Sequence, residues 1–219
     1  MWAIVHHVPY DSSGGIGTAL RRRGLLVVHL RPYLGDLLPE VEELSGLVVL
    51  GGPSGKADDD VGHLRAERAL LAAAAHAGLP VLGVCFGAQL LAVALGGAVR
   101  RAATPEVGIG EVRLTAEGAA DPILGPLGPR ITVQHWHADE YRLPPEAVRL
   151  ATSASCDEQA FRWRTKTYGV QFHVELNRDL ADVIRPQLGD VVLDPRGVEA
   201  ASSAGARFAD AFLDTGSRD

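Results

Sequence analysis

The sequence predicts an α/β protein, with a central, mostly parallel sheet flanked by helices and a smaller antiparallel or mixed extension. Two apolar runs without polar alternation, Leu47 to Leu50 and Val81 to Val84, read as strands covered on both faces, the habit of parallel sheets. Strand-like and helix-like segments alternate at the spacing of βαβ units, whose crossovers are right-handed. A chain of 219 residues, 47% hydrophobic and 22% charged, can bury one sizeable core. No Pro/Gly-rich linker, low-complexity block or repeat divides it, so residues 1–219 are expected to form one domain.

The elements follow in order. Ala3 to Val8 reads as the first strand, Asp11 to Gly15 as a loop, and Ile16 to Arg23 as a helix ended by Gly24. Leu25 to Leu30 and Leu47 to Leu50 are further strands. From Val61 to His76, Leu64, Leu70, Leu71, Ala74 and Ala75 mark one helical face, with Gly78 and Pro80 as stop signals. Val81 to Val84 is then a strand and Ala88 to Leu95 a helix. Short strands are expected at Val107–Leu114, Arg130–Val133, Val148–Ser153, Gln159–Trp163 and Thr167–Phe172. Helices at Asn177–Leu188 and Val198–Leu213, limited by Pro186 and Pro195, close the chain.

Three segments carry chemistry. Cys85 lies in Gly83-Val84-Cys85-Phe86-Gly87, where an apolar strand stops at a thiol between two glycines and turns helical. Gly-x-Cys-x-Gly is the thiol counterpart of the nucleophile elbow, whose small neighbours permit a sharp strand-to-helix turn. The unpaired amides and positive end of the following helix favour a thiolate there. In Gln171-Phe172-His173-Val174-Glu175, residues two apart on a strand share a face, so Glu175 is placed to orient the imidazole of His173. The third segment, Gly51-Gly52-Pro53-Ser54, ends a strand in bare backbone, and an amide there could stabilise an oxyanion together with that of Phe86.

In this order, the three motifs resemble the class I (triad) glutamine amidotransferases, in the form of a stand-alone glutaminase domain similar to that of GMP synthase. The resemblance runs from about Trp2 to Asn177 and implies a flavodoxin-like fold. It also implies Cys85 as nucleophile, His173 as general base and then acid, Glu175 as its orienting partner, and Gly52 and Phe86 as oxyanion-hole amides. Gln89 matches the glutamine of the family's Cys-x-Gly-x-Gln pattern and would line the substrate pocket. Trp136, His137, Ala138 and Asp139 correspond to the family segment that ends in His-Gly-Asp and grips the α-amino and α-carboxylate groups of glutamine. Here Ala138 replaces the usual glycine, and Trp136 stands where a small polar residue is common.

Three functions are carried forward. One is a glutaminase that releases ammonia through a γ-glutamyl thioester and passes it to a separate synthetase; another is a γ-glutamyl peptidase; the third is a catalytically silent regulatory or scaffold protein. A net charge of −6 gives no reason to expect nucleic-acid or anionic-membrane binding. Two cysteines are too few for a disulfide framework, and the first residues lack a signal-peptide pattern, so a cytoplasmic setting is expected. Ala69 to Val99 lacks charged residues and is long enough to span a bilayer, but its glycines and Pro80 break it.

No cofactor is expected. Gly14-Gly15-Ile16-Gly17 has Leu20 where a dinucleotide fingerprint needs glycine, and Gly51 to Lys56 lacks both the first glycine and the Ser/Thr of a P-loop. His6-His7 and His135-x-His137 could offer imidazoles to a metal, but no nearby carboxylate or cysteine cluster in the sequence completes a site, so no metal is expected. Asp58-Asp59-Asp60 reads as a solvated run at a helix start.

Overall fold

A computed structural model describes residues 1–9, 12–52, 57 and 60–215. Asp11, the Pro53 to Lys56 part of the glycine-rich turn, and Asp58-Asp59 lie outside the described residues. The strands are β1 (Trp2–Val5), β2 (Val27–Leu30), β3 (Gly46–Val49), β4 (Val81–Val84), β5 (Ala98–Leu114), β6 (Arg130–Arg142), β7 (Val148–Thr152), β8 (Ala160–Trp163) and β9 (Thr167–Val170). The helices are α1 (Gly14–Arg22), α2 (Gly62–His76), α3 (Phe86–Ala94), α4 (Ala116–Ala120), α5 (Arg178–Ile184) and α6 (Pro195–Asp214).

Among the described residues the strands form one sheet in the order β2-β1-β3-β4-β9-β8-β7-β5-β6. The first five are parallel, and every later pairing is antiparallel. The expected mostly parallel sheet with an antiparallel extension is therefore present. Alternate residues of a strand feed opposite faces, and β1 shows this directly. Trp2 and Ile4 join a core with Ile16 and Leu20 of α1 and Phe208 and Phe212 of α6. Ala3 and Val5 join a second core with Leu64 and Leu71 of α2 and Leu90 of α3. Both faces are covered, which is why β1, β3 and β4 are apolar throughout.

The sequence places the hairpin strands at Val107–Leu114 and Arg130–Val133, but β5 and β6 are far longer. Residues 98–106 carry arginines, a threonine and Pro105 and read locally as a loop; their pairing with β6 extends the strand instead. Pro105 is tolerated because the register shifts between Arg101 and Glu106. The hairpin carries Trp136 and His137 to the end of the parallel sheet where α3 begins. No described helix is long and apolar enough to cross a membrane, and Ala69 to Val99 resolves into the end of α2, then β4 and α3.

Candidate active site

Cys85 caps α3 with φ 52° and ψ −108°, a left-handed backbone held at a non-glycine residue. Both neighbouring strands grip the turn. The Cys85 N–H donates to Val170 O at 2.7 Å, and the Gly87 N–H donates to Leu50 O at 3.1 Å. The glycines are obligatory here, since a Cβ on Gly87 would sit 1.9 Å from Val49 O and one on Gly83 2.5 Å from Gly87 O. The fold thus stores strain at the residue whose sulfur faces the cavity.

His173 and Glu175 do not share a strand face as the sequence suggested, because β9 ends at Val170 and both lie in the turn beyond it. That turn is pinned elsewhere. The His173 N–H donates to Gln134 O at 2.9 Å, and Glu175 O accepts from the Gly15 N–H at 2.8 Å. The side chains still meet, with His173 Nδ1 2.6 Å from Glu175 Oε1. Burial opposes a charge on the imidazole, but Glu175 and the Cys85 sulfur outweigh it and raise the His173 pKa well above 6.5. With Nδ1 engaged by Glu175, Nε2 is the nitrogen left for the sulfur.

Gly51 and Gly52 border this pair. A Cβ on Gly51 would lie 3.2 Å from His173 Cε1 and 3.9 Å from Cys85 Cβ, and one on Gly52 would lie 2.7 Å from the Phe86 ring. Phe86 opens α3, so its N–H has no acceptor within that helix. Cys85, His173, Glu175, Gly51 and Gly52 line one side of a cavity of about 280 Å³, and Val107, Trp136, Leu176, Leu180 and Ile184 supply apolar wall. The backbone carbonyl of Trp136 lies 3.7 Å from the Cys85 sulfur.

Trp136, His137 and Ala138 reach this cavity; Gln89 and Asp139 stand behind its wall. Gln89 is buried, and its Nε2 donates to Asp139 O and to Gln171 Oε1, both at 3.2 Å, so it ties α3 to β6 rather than lining the cavity. The Asp139 carboxylate accepts from Arg101 at 3.3 Å.

The sequence showed no carboxylate beside His135 and His137, but the hairpin brings one. Glu106, opposite His137 in the ladder, lies 3.0 Å from His137 Nε2, and its carboxylate also accepts from Ser155 Oγ and Gln159 Nε2. Their ligating atoms and that of His135 fall within 4.8 Å of one another, the arrangement among the described residues that could hold a metal ion. Burial would raise the Glu106 carboxyl, but His137 and the serine hydroxyls of Ser153 and Ser155 hold it at about 2. Burial lowers His135 to about 4. His6 and His7 point apart, as neighbours on an extended chain must: His6 meets His29 at 2.9 Å, and His7 meets Glu67. Cys156 is buried, which pushes its thiol up to about 12.

The strained cysteine, the paired imidazole and carboxylate, and the bare glycine backbone together define a cysteine-centred hydrolase site on an α/β sheet. Comparison with known proteins identifies the family: residues 15–183 match glutamine amidotransferase class-I, and the chain belongs to it. The glutamine amidotransferase-like protein YfeJ of Salmonella typhimurium is 32% identical over 89% of this chain and 83% of its own length. The glutamine-hydrolyzing subunit of GMP synthase from Haloquadratum walsbyi is 35% identical over 78% of this chain and 89% of its own. The crystal structure of a glutamine amidotransferase from Thermotoga maritima superposes with a TM-score of 0.87 at 26% identity, covering 100% of this chain and 98% of that one. The chain is thus an enzyme of the glutamine amidotransferase class.

Proposed function

We propose that this protein hydrolyses a γ-glutamyl amide, glutamine first among them, through a γ-glutamyl thioester on Cys85. The observation that carries the reading is the strained Cys85 turn set against the His173–Glu175 pair at one wall of the cavity. The sulfur attacks the side-chain amide carbon, and the carbonyl oxygen takes up negative charge beside the N–H groups of Gly52 and Phe86. His173 Nε2 takes the thiol proton and delivers it to the departing ammonia. It then deprotonates the water that cleaves the thioester to glutamate, while Glu175 holds the ring through Nδ1 throughout. Trp136, His137 and Ala138 form the wall against which the substrate lies.

The GMP synthase relative from Haloquadratum walsbyi is, by name, a glutamine-hydrolysing protein. The corresponding role here is a one-domain cytoplasmic protein that supplies ammonia to a separate synthetase. A second reading is favoured by the apolar wall of Val107, Trp136, Leu180 and Ile184, which free ammonia has no use for. The same thioester would then form from a γ-glutamyl conjugate whose leaving amine carries an apolar group. Wild-type protein is incubated with glutamine and with γ-glutamyl dipeptides and anilides, and free glutamate, ammonia and amine are quantified. Glutamate release that disappears in Cys85→Ala supports the reading. No release from any γ-glutamyl compound, with or without a synthetase, rejects it.

A further inference from the structure

His7 and Glu67 are buried charged or chargeable residues that the chemistry above does not use. Glu67 is 1% exposed and sits on the apolar face of α2 between Leu64 and Leu71, a costly place for a carboxylate without a partner. Its partner is His7, just past the end of β1, with Nε2 2.7 Å from Glu67 Oε2 and the ring edge-on to Phe86. The other nitrogen, Nδ1, lies 2.9 Å from Gly51 O. A carbonyl can only accept, so Nδ1 carries a proton and donates to Gly51 wherever the remaining proton of the His7–Glu67 pair resides.

This contact bears on catalysis through the peptide it holds. The Gly51–Gly52 peptide is trans, so its C=O and N–H point to opposite edges. With the carbonyl drawn to His7, the Gly52 N–H faces away from His7. Gly51, Gly52 and Cys85 all line the cavity, and His7 does not. Two consecutive glycines give this peptide little conformational preference of its own. We propose that His7, oriented by Glu67, is a positioning residue that locks the Gly51–Gly52 peptide with its N–H turned toward the oxyanion of the reacting amide. The pair acts entirely through backbone, and it touches neither substrate nor sulfur. The proposal rests on the hydrolase reading above, in which Gly52 supplies an oxyanion donor.

The test compares His7→Phe, which keeps a ring against Phe86 but removes the donor, with Glu67→Gln, which keeps the shape and removes the charge. Each is assayed for γ-glutamyl hydrolysis and for the rate at which iodoacetamide alkylates Cys85, followed by mass spectrometry. Alkylation displaces iodide at a saturated carbon and forms no oxyanion, so it reports the thiol and His173 but not the peptide. The expected result is kcat lowered by about 10- to 100-fold in His7→Phe and by a smaller factor in Glu67→Gln, with KM and the alkylation rate within about twofold of wild type.

Unchanged kcat, or a loss matched in alkylation, overturns the proposal. A second readout needs no turnover: the Gly52 amide signal in ¹⁵N relaxation-dispersion spectra should be quiet in wild type and broadened in both variants. If wild type hydrolyses nothing, the functional reading fails, and the amide spectra still decide whether His7 locks the peptide. Equal spectra in all three proteins reject the lock.

Discussion

Nδ1 of His173 is held 2.6 Å from Oε1 of Glu175, and the imidazole has its pKa raised well above 6.5. A group whose folded pKa exceeds its unfolded value contributes stability that is fully present below about pH 6.5 and is lost as pH rises through the folded pKa. Removing the carboxylate in Glu175→Gln should therefore cost stability most at mildly acidic pH, and the gap to wild type should close on the alkaline side. Melting temperatures of both proteins between pH 6 and 10 check this. A gap of constant size would show that the imidazole is not the group responsible. Hydrolysis in the variant should fall by on the order of 10²-fold or more, because the ring loses its orienting anion.

Gly87 allows the elbow to pack directly on β3. A methyl there would meet Val49 O at 1.9 Å, and the obstacle is backbone, which cannot swing aside. Gly87→Ala should cost at least about 2 kcal/mol and disorder the Cys85 turn. Urea unfolding should show a lower midpoint with unchanged slope, and residual protein should react slowly with iodoacetamide. Full stability would mean that the contact is looser than these positions imply.

The family and the triad segments were legible because each is a short local pattern: Gly-x-Cys-x-Gly, His-x-Glu and Gly-Gly each announce their own geometry. The supports were not. Glu106 reaches His137 only through pairing across a register shift, and nothing near residue 106 encodes its partner. Glu67 did leave a trace, a carboxylate three residues after Leu64 and four before Leu71 on an otherwise apolar face, but the His7 it meets lies 60 residues away. The strand reading of His173 and Glu175 brought them together for the wrong reason. Apolar alternation continues past Val170, but contacts with Gln134 and Gly15 bend the chain into a turn.

Glu106 and His135 together predict how the protein responds to acid. The carboxyl drops from 4.5 to about 2, so its contribution is present above about pH 4.5 and is lost as pH falls toward 2. His135 drops from 6.5 to about 4 because burial disfavours its charged form, so its share is present above pH 6.5 and is lost as pH falls through 4. Stability should decline in two overlapping limbs. Glu106→Gln should flatten the lower one, which is worth at most about 3 kcal/mol. Chemical denaturation at intervals from pH 7 to 3 would separate the limbs. Identical acid profiles in wild type and variant would remove Glu106 as the cause.

Ile184, at the end of α5, decides how much of the cavity lies beyond a glutamine-sized ligand. It lines the apolar wall with Leu180, and α5 itself is fixed by Asn177, whose side chain accepts from the Leu180 N–H at 2.8 Å. Ile184→Phe adds bulk to that wall without touching Cys85, His173 or Glu175. A leaving amine that uses the apolar wall loses its space, whereas ammonia needs none. The ratio of kcat/KM for a γ-glutamyl anilide to that for glutamine should therefore fall by about tenfold, the usual worth of a few methylenes in an apolar pocket. Glutamine turnover should change by less than about threefold. If both substrates weaken in step, Ile184 serves only to pack α5, and the apolar wall has no part in choosing the leaving group.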